Sequence, residues 1–63
     1  MKVTRKNPFT GQMLTREIPV TEEQLMAWQD GELIQNDMPN ISAEDREFIK
    51  SGITAEQWEE MFG

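Results

Sequence analysis

Hydrophobic and polar residues alternate over two stretches near the N-terminus, residues 2–6 and residues 13–20. A period of two residues predicts β-strands. In the first stretch, Val3 and Arg5 share one side. In the second stretch, the apolar side holds Leu14, Arg16, Ile18 and Val20. The intervening Asn7-Pro8-Phe9-Thr10-Gly11 has the proline and the glycine of a turn, so we expect an antiparallel hairpin with a loop of about four or five residues.

Polar residues typical of helix starts recur in the rest of the chain. Thr21-Glu22-Glu23-Gln24 and Thr54-Ala55-Glu56-Gln57 are both capping boxes, and Ser42 is a good N-cap. Gly31 and Gly52 are suitable left-handed exits for the first helix and for the helix that begins at Ser42. These signals predict three helices, the first over about residues 22–30.

A weaker apolar pattern over residues 32–38 predicts a further short helix, which Pro39 must end. The helix after Ser42 carries the apolar pair Phe48 and Ile49, and we expect the neighbouring segments to pack on it. The predicted core consists of Leu14, Ile18, Leu25, Trp28, Leu33, Ile34, Phe48, Ile49, Trp58 and Phe62.

The predicted fold class is therefore α+β: an N-terminal two-stranded antiparallel β-hairpin packed on a small bundle of three to four short helices. Residues 1–63 form one domain, with the hairpin in residues 1–20 and the helical part in residues 21–63. A chain this short buries only about 60% of the surface that its unfolded form exposes, so its stability should be a few kcal/mol.

The composition argues against catalysis. The chain has no histidine and no cysteine, which removes the commonest general base, the thiol nucleophile and the usual zinc ligands. Adjacent carboxylates occur at Glu22/Glu23, Glu44/Asp45 and Glu59/Glu60, but neighbours in a helix do not face each other, and we interpret them as solvated. We therefore expect a protein without enzymatic activity, without a cofactor and without a metal site. No apolar run approaches the roughly 20 residues of a membrane span, so we expect a cytoplasmic protein.

The net charge of −6 is unevenly distributed, because residues 1–20 hold four basic residues and one acid, whereas residues 21–63 hold two basic residues and eleven acids. One hypothesis is a nucleic-acid-binding accessory protein that uses this basic hairpin. Its candidate residues are Lys2, Arg5, Lys6, Phe9 and Arg16, the phenylalanine stacking on a base. About four phosphate contacts would give weak binding. This hypothesis predicts that the four cations share one exposed face. Another possibility is that the acidic helices imitate a nucleic acid.

The chain resembles a group of small uncharacterised proteins encoded by bacteriophage genomes and by environmental, including marine, viral sequence. The segments that carry the resemblance are Pro19-Val20-Thr21-Glu22-Glu23-Gln24-Leu25, Trp28, Gly31-Glu32-Leu33-Ile34-Gln35, Pro39, Ser42-Ala43-Glu44-Asp45-Arg46-Glu47-Phe48 and Gly52-Ile53-Thr54-Ala55-Glu56-Gln57-Trp58, closing on Phe62-Gly63. They contain no catalytic or ligand-binding signature, so the resemblance implies a viral source but does not indicate a mechanism of action.

The first functional hypothesis is a non-enzymatic protein-interaction module, a phage accessory protein that binds a host or viral protein. It predicts a contiguous apolar or acidic surface patch, or self-association. The sequence leaves open whether the chain is a monomer or a homodimer, and it does not name the partner.

Overall fold

The computed structural model describes all 63 residues and contains two strands followed by four helices. In chain order the elements are β1 (Lys2–Lys6), β2 (Met13–Glu17), α1 (Glu22–Gln29), α2 (Ile34–Asp37), α3 (Ala43–Ser51) and α4 (Ala55–Phe62). The two strands form one antiparallel sheet on which the helices pack. The α+β prediction is confirmed. None of the helices has the length and hydropathy that crossing a bilayer requires.

The hairpin has the predicted alternation of sides. Thr4 pairs with Thr15 at its centre, and their hydroxyl oxygens lie 2.8 Å apart on the exposed side. The residues on the side toward the helices are Val3, Arg5, Leu14 and Arg16. The loop between the strands spans residues 7–12, which is slightly longer than expected. The amide of Asn7 donates to the carbonyl of Gln12 at 2.8 Å and closes this loop.

The three strong helix starts lie where the sequence predicts them. Thr21 and Thr54 both form complete capping boxes, and the Ser42 hydroxyl accepts a hydrogen bond from the third residue of α3. The segment predicted over residues 32–38 contains only one helical turn, α2. Leu33 precedes this turn with extended backbone and no side-chain cap, and the turn ends at Met38, directly before Pro39.

The core lies between the hairpin and α3. It consists of the buried side chains Val3, Ile18, Val20, Met38, Ile41, Phe48 and Ile49. Leu14, Leu25, Trp28 and Ile34 pack against this cluster and are partly buried. Phe48, at 0% exposure, is the largest fully buried side chain. The prediction that Phe48 and Ile49 of α3 belong to the core is therefore confirmed.

The predicted core is wrong at Leu33 and Phe62, which are 60% and 73% exposed. Leu33 lies outside the helical turn of α2, so its side chain does not follow the buried side of that turn. Phe62 stacks on Trp58 at the outer surface of α4, and Trp58 is only half-buried. The missed core residues include Met38 and Ile41, which flank the Pro39 turn and are joined by a backbone hydrogen bond of 3.2 Å.

A polar network fixes the turn between α2 and α3 to the start of α1. The side-chain nitrogen of Gln24 donates to the carbonyl of Asp37 and to Oδ1 of Asn40, both at 3.0 Å. Asn40 in turn donates to the carbonyl of Pro19 at 3.3 Å. Gln24 thus serves the local cap of α1 through its oxygen and a distant segment through its nitrogen.

Candidate protein-docking surface

The two arginines of the hairpin are engaged within the fold. The Nη2 atom of Arg16 lies 3.3 Å from a carboxylate oxygen of Asp45, and its guanidinium lies 5.7 Å from the ring centroid of Phe48. Arg5 donates from Nη2 to the carbonyl of Lys50 at 3.3 Å. Both contacts are to α3, and the second places a cation at the negative end of its helix dipole.

The two lysines of β1 point the other way. Lys2 and Lys6 are exposed on the outer side of the hairpin, where Thr4 lies between them. Phe9, in the loop, is 55% exposed. The structure therefore divides the four predicted cations between two sides of the sheet and does not bring them to one face. The outer side offers two cations, which is half the number on which the nucleic-acid hypothesis was built.

Asn7 is a buried side chain that the sequence reasoning treated only as a turn residue. Its Nδ2 atom donates to the carbonyl of Gly52 at 3.0 Å and to Oε1 of Gln57 at 2.7 Å. Its Oδ1 atom accepts from the backbone amides of Phe9 and Thr10 at 3.0 and 3.1 Å. Asn7 therefore shapes the loop and holds it against the start of α4. Asparagine is common in turns, so the sequence contains no signal that would have distinguished this role.

Gly52 permits the close approach between the hairpin and the connection from α3 to α4. Its φ of 80° is left-handed, as expected for the end of a helix. A Cβ atom at this position would overlap the carbonyl oxygen of Lys6. The sequence predicted the helix exit, whereas the contact with Lys6 becomes visible only in the structure.

Helix α4 carries its apolar residues on one side and buries none of them completely. The rings of Trp58 and Phe62 stack with their centroids 4.9 Å apart. Met61, one residue before Phe62, shares a shallow hollow of about 230 Å³ with Phe9, and Gln57 and Glu60 complete its walls. We call the four apolar residues Phe9, Trp58, Met61 and Phe62 the α4 surface.

A groove between α3 and α4 adjoins this surface at Trp58. Its volume is about 300 Å³, and its lining combines small apolar and acidic residues with the indole: Ala43, Glu44, Glu47, Ala55, Trp58 and Glu59. Glu47 pairs with Lys50 at 3.4 Å, whereas Glu44 and Glu59 are exposed and take part in no ion pair. The arrangement suits the binding of apolar and cationic groups.

No three of the acidic side chains are grouped in a way that would hold a metal ion. Comparisons with known proteins give no match: no protein-family model, no curated protein and no solved structure matches this chain. The functional interpretation of this surface therefore rests on its geometry.

Proposed function

We propose that the chain is a small, non-enzymatic protein-interaction module that binds a partner protein through the α4 surface. One observation carries the proposal: the apolar side of α4 ends in Met61 and Phe62, which the rest of the fold leaves 44% and 73% exposed. Contiguous exposed apolar residues on a small protein mark interaction sites, and tryptophan is enriched among residues that dominate binding energy.

The magnitude of the available burial supports this proposal. Phe62 and Phe9 are 73% and 55% exposed, and Met61 is 44% exposed. Fully covering a large apolar side chain stabilises a complex by about 1.5–3 kcal/mol, before the costs of association are subtracted. Because the fold already covers part of each of these side chains, each can supply only part of that amount, which supports a modest interaction.

The preorganisation of the surface also supports the proposal. Asn7 fixes the backbone of Phe9, and its bonds to Gln57 fix the loop relative to α4. A surface that is ordered before binding loses less conformational entropy on association. The resemblance to phage-encoded proteins leads us to propose a host or viral protein as the partner.

The test is affinity capture from bacterial lysate with and without nuclease, using two matched variants. The α4 variant carries Met61→Ser and Phe62→Ser. The control variant carries Met26→Ser and Leu33→Ser, which replace equally exposed apolar residues on α1 and before α2. Circular dichroism establishes that both variants are folded.

We expect the wild type and the control variant to retain the same proteins after nuclease treatment, and the α4 variant to lose them. Equal capture by both variants would overturn the proposal. Capture that disappears with nuclease would instead favour binding of nucleic acid.

A further inference from the structure

We infer that the partner presents a positively charged amphipathic segment, whose apolar side covers the α4 surface while an arginine or lysine enters the groove between α3 and α4. This inference rests on the proposed function and specifies the chemistry of its partner. Three features of the structure support it: the charge around α4, the shape of the groove and the properties of the indole that separates the groove from the apolar surface.

The charged side chains of α4 itself are all negative. No lysine or arginine follows Lys50 in the chain, whereas Glu56, Glu59 and Glu60 are all exposed and unpaired. Glu60 borders the hollow at Phe9, and Glu59 borders the groove at Trp58. The apolar stripe of α4 therefore lies between carboxylates, and a partner without positive charge would have to desolvate them without compensation.

The lining of this shallow groove suits a long cationic side chain. Ala43 and Ala55 are small enough to leave room for methylene groups, and carboxylates stand at its rim. Arginine and lysine bury their aliphatic stems against apolar surface while their charged ends remain near polar groups. The end of such a side chain would meet Glu44 and Glu59, which form charge-assisted hydrogen bonds with a guanidinium or an ammonium.

Trp58 favours the same occupant, because its indole is both a wall of the groove and part of the α4 surface. A cation over an indole face is attracted by the ring quadrupole, and the attraction is stronger when the cation is desolvated. One partner segment can therefore use Trp58 twice, through apolar packing beside Phe62 and through its cation in the groove.

The same charges argue against a second copy of this chain on this surface. In a two-fold dimer the same patch faces itself, so the carboxylates of one α4 would lie close to those of the other. The net charge of −6 adds long-range repulsion. A nucleic acid meets the same objection at this surface because its backbone is anionic.

The test uses two synthetic helical peptides of about 14 residues, long enough for about four turns. The basic peptide has a leucine side and an arginine–lysine side, and the acidic peptide has glutamate in place of every basic residue. Fluorescence anisotropy measures their binding to the full chain. We expect the basic peptide to bind, with an affinity that falls about tenfold or more between about 50 and 500 mM salt, and the acidic peptide not to bind.

Two charge variants test where on the chain the basic peptide binds. Glu44→Gln with Glu59→Gln should weaken binding of the basic peptide about tenfold, since two rim carboxylates are lost. Glu22→Gln with Glu23→Gln changes the net charge equally on α1, where both side chains are exposed and unpaired, and should change binding by less than about twofold. Equal binding of both peptides, or equal effects of the two variants, would overturn the inference.

Failure of the inference is distinguishable from failure of the proposed function. One outcome is that the proteins captured from lysate are lost by the Met61→Ser and Phe62→Ser variant but are retained at high salt by the Glu44→Gln and Glu59→Gln variant. In that case the α4 surface binds a partner, and the positive charge of the partner is refuted. If all of these variants capture the same proteins, the proposed function itself is refuted.

Discussion

Helices α3 and α4 have nearly the same length and both begin at a hydroxyl N-cap, yet different contacts hold them in the fold. Helix α3 buries Phe48 and Ile49 completely in the core, whereas α4 buries no residue. The start of α4 is fixed by polar contacts, because Gln57 exchanges hydrogen bonds with the buried Asn7. The comparison shows that a well-formed amphipathic helix need not have its apolar side fully covered.

The difference in burial between α3 and α4 implies a difference in how much each helix contributes to stability. Burial of the apolar side of α3 contributes directly to folding, since removing apolar area from water is the main stabilising term in folding. The apolar side of α4 loses less area to the fold, because Met61 and Phe62 remain 44% and 73% exposed. Three substitutions test this contrast, and they are given in order of expected effect.

The largest effect is expected for Phe48→Ala. Truncating a fully buried phenylalanine costs about 3–5 kcal/mol, which is comparable to the whole stability of a domain this small. We expect the variant to show no cooperative thermal transition by circular dichroism. The matched control is Phe9→Ala, at a ring that is 55% exposed, and it should melt cooperatively. Cooperative melting of Phe48→Ala near the wild-type temperature would place this residue outside the core in solution.

An intermediate effect is expected for Asn7→Ala, which removes the link between the hairpin loop and α4. Leaving buried partners such as the Gly52 carbonyl unsatisfied costs about 1–3 kcal/mol. Hydrogen exchange should accelerate most at the amides of α4, since polar contacts hold its start. Asn36→Ala is the control, because that side chain is exposed on α2. Unchanged exchange in α4 would show that other contacts hold this helix.

The smallest effect is expected for Phe62→Ser. The side chain is 73% exposed, and surface substitutions of this kind change stability by no more than about 0.5 kcal/mol. Urea denaturation of the wild type and the variant gives this difference directly. A loss approaching that of Phe48→Ala would mean that the apolar side of α4 is covered in solution, and the contrast with α3 would then fail.

The fold was largely predictable because its signals are local. The capping boxes at Thr21 and Thr54 act over three residues, and the alternation in β1 and β2 has a period of two. Asn7 was not predictable as a buried residue, since its partners Gly52 and Gln57 lie 45 and 50 residues away in the chain. Nothing near a polar turn residue indicates contacts over such a separation.

The candidate site was predictable only in part. Trp58, Met61 and Phe62 are spaced so that they share one side of a helix, and Phe9 lies in the predicted hairpin loop. Their spacing predicts a common side and does not show whether another element covers it. Leu33 and Phe62 are exposed, whereas Met38 and Ile41, on either side of Pro39, are core residues that the pattern did not predict.

The glutamines at the two capping boxes have a consequence for how sequence encodes this protein. In Gln24 and Gln57 alike, the side-chain oxygen accepts the hydrogen bond of the local cap, while the nitrogen donates to a segment far away in the chain. A glutamate would accept the same cap bond but has no hydrogen to offer the distant acceptor. The oxygen of each side-chain amide thus helps to define where a helix begins, and the nitrogen helps to fix the position of that helix relative to the rest of the fold.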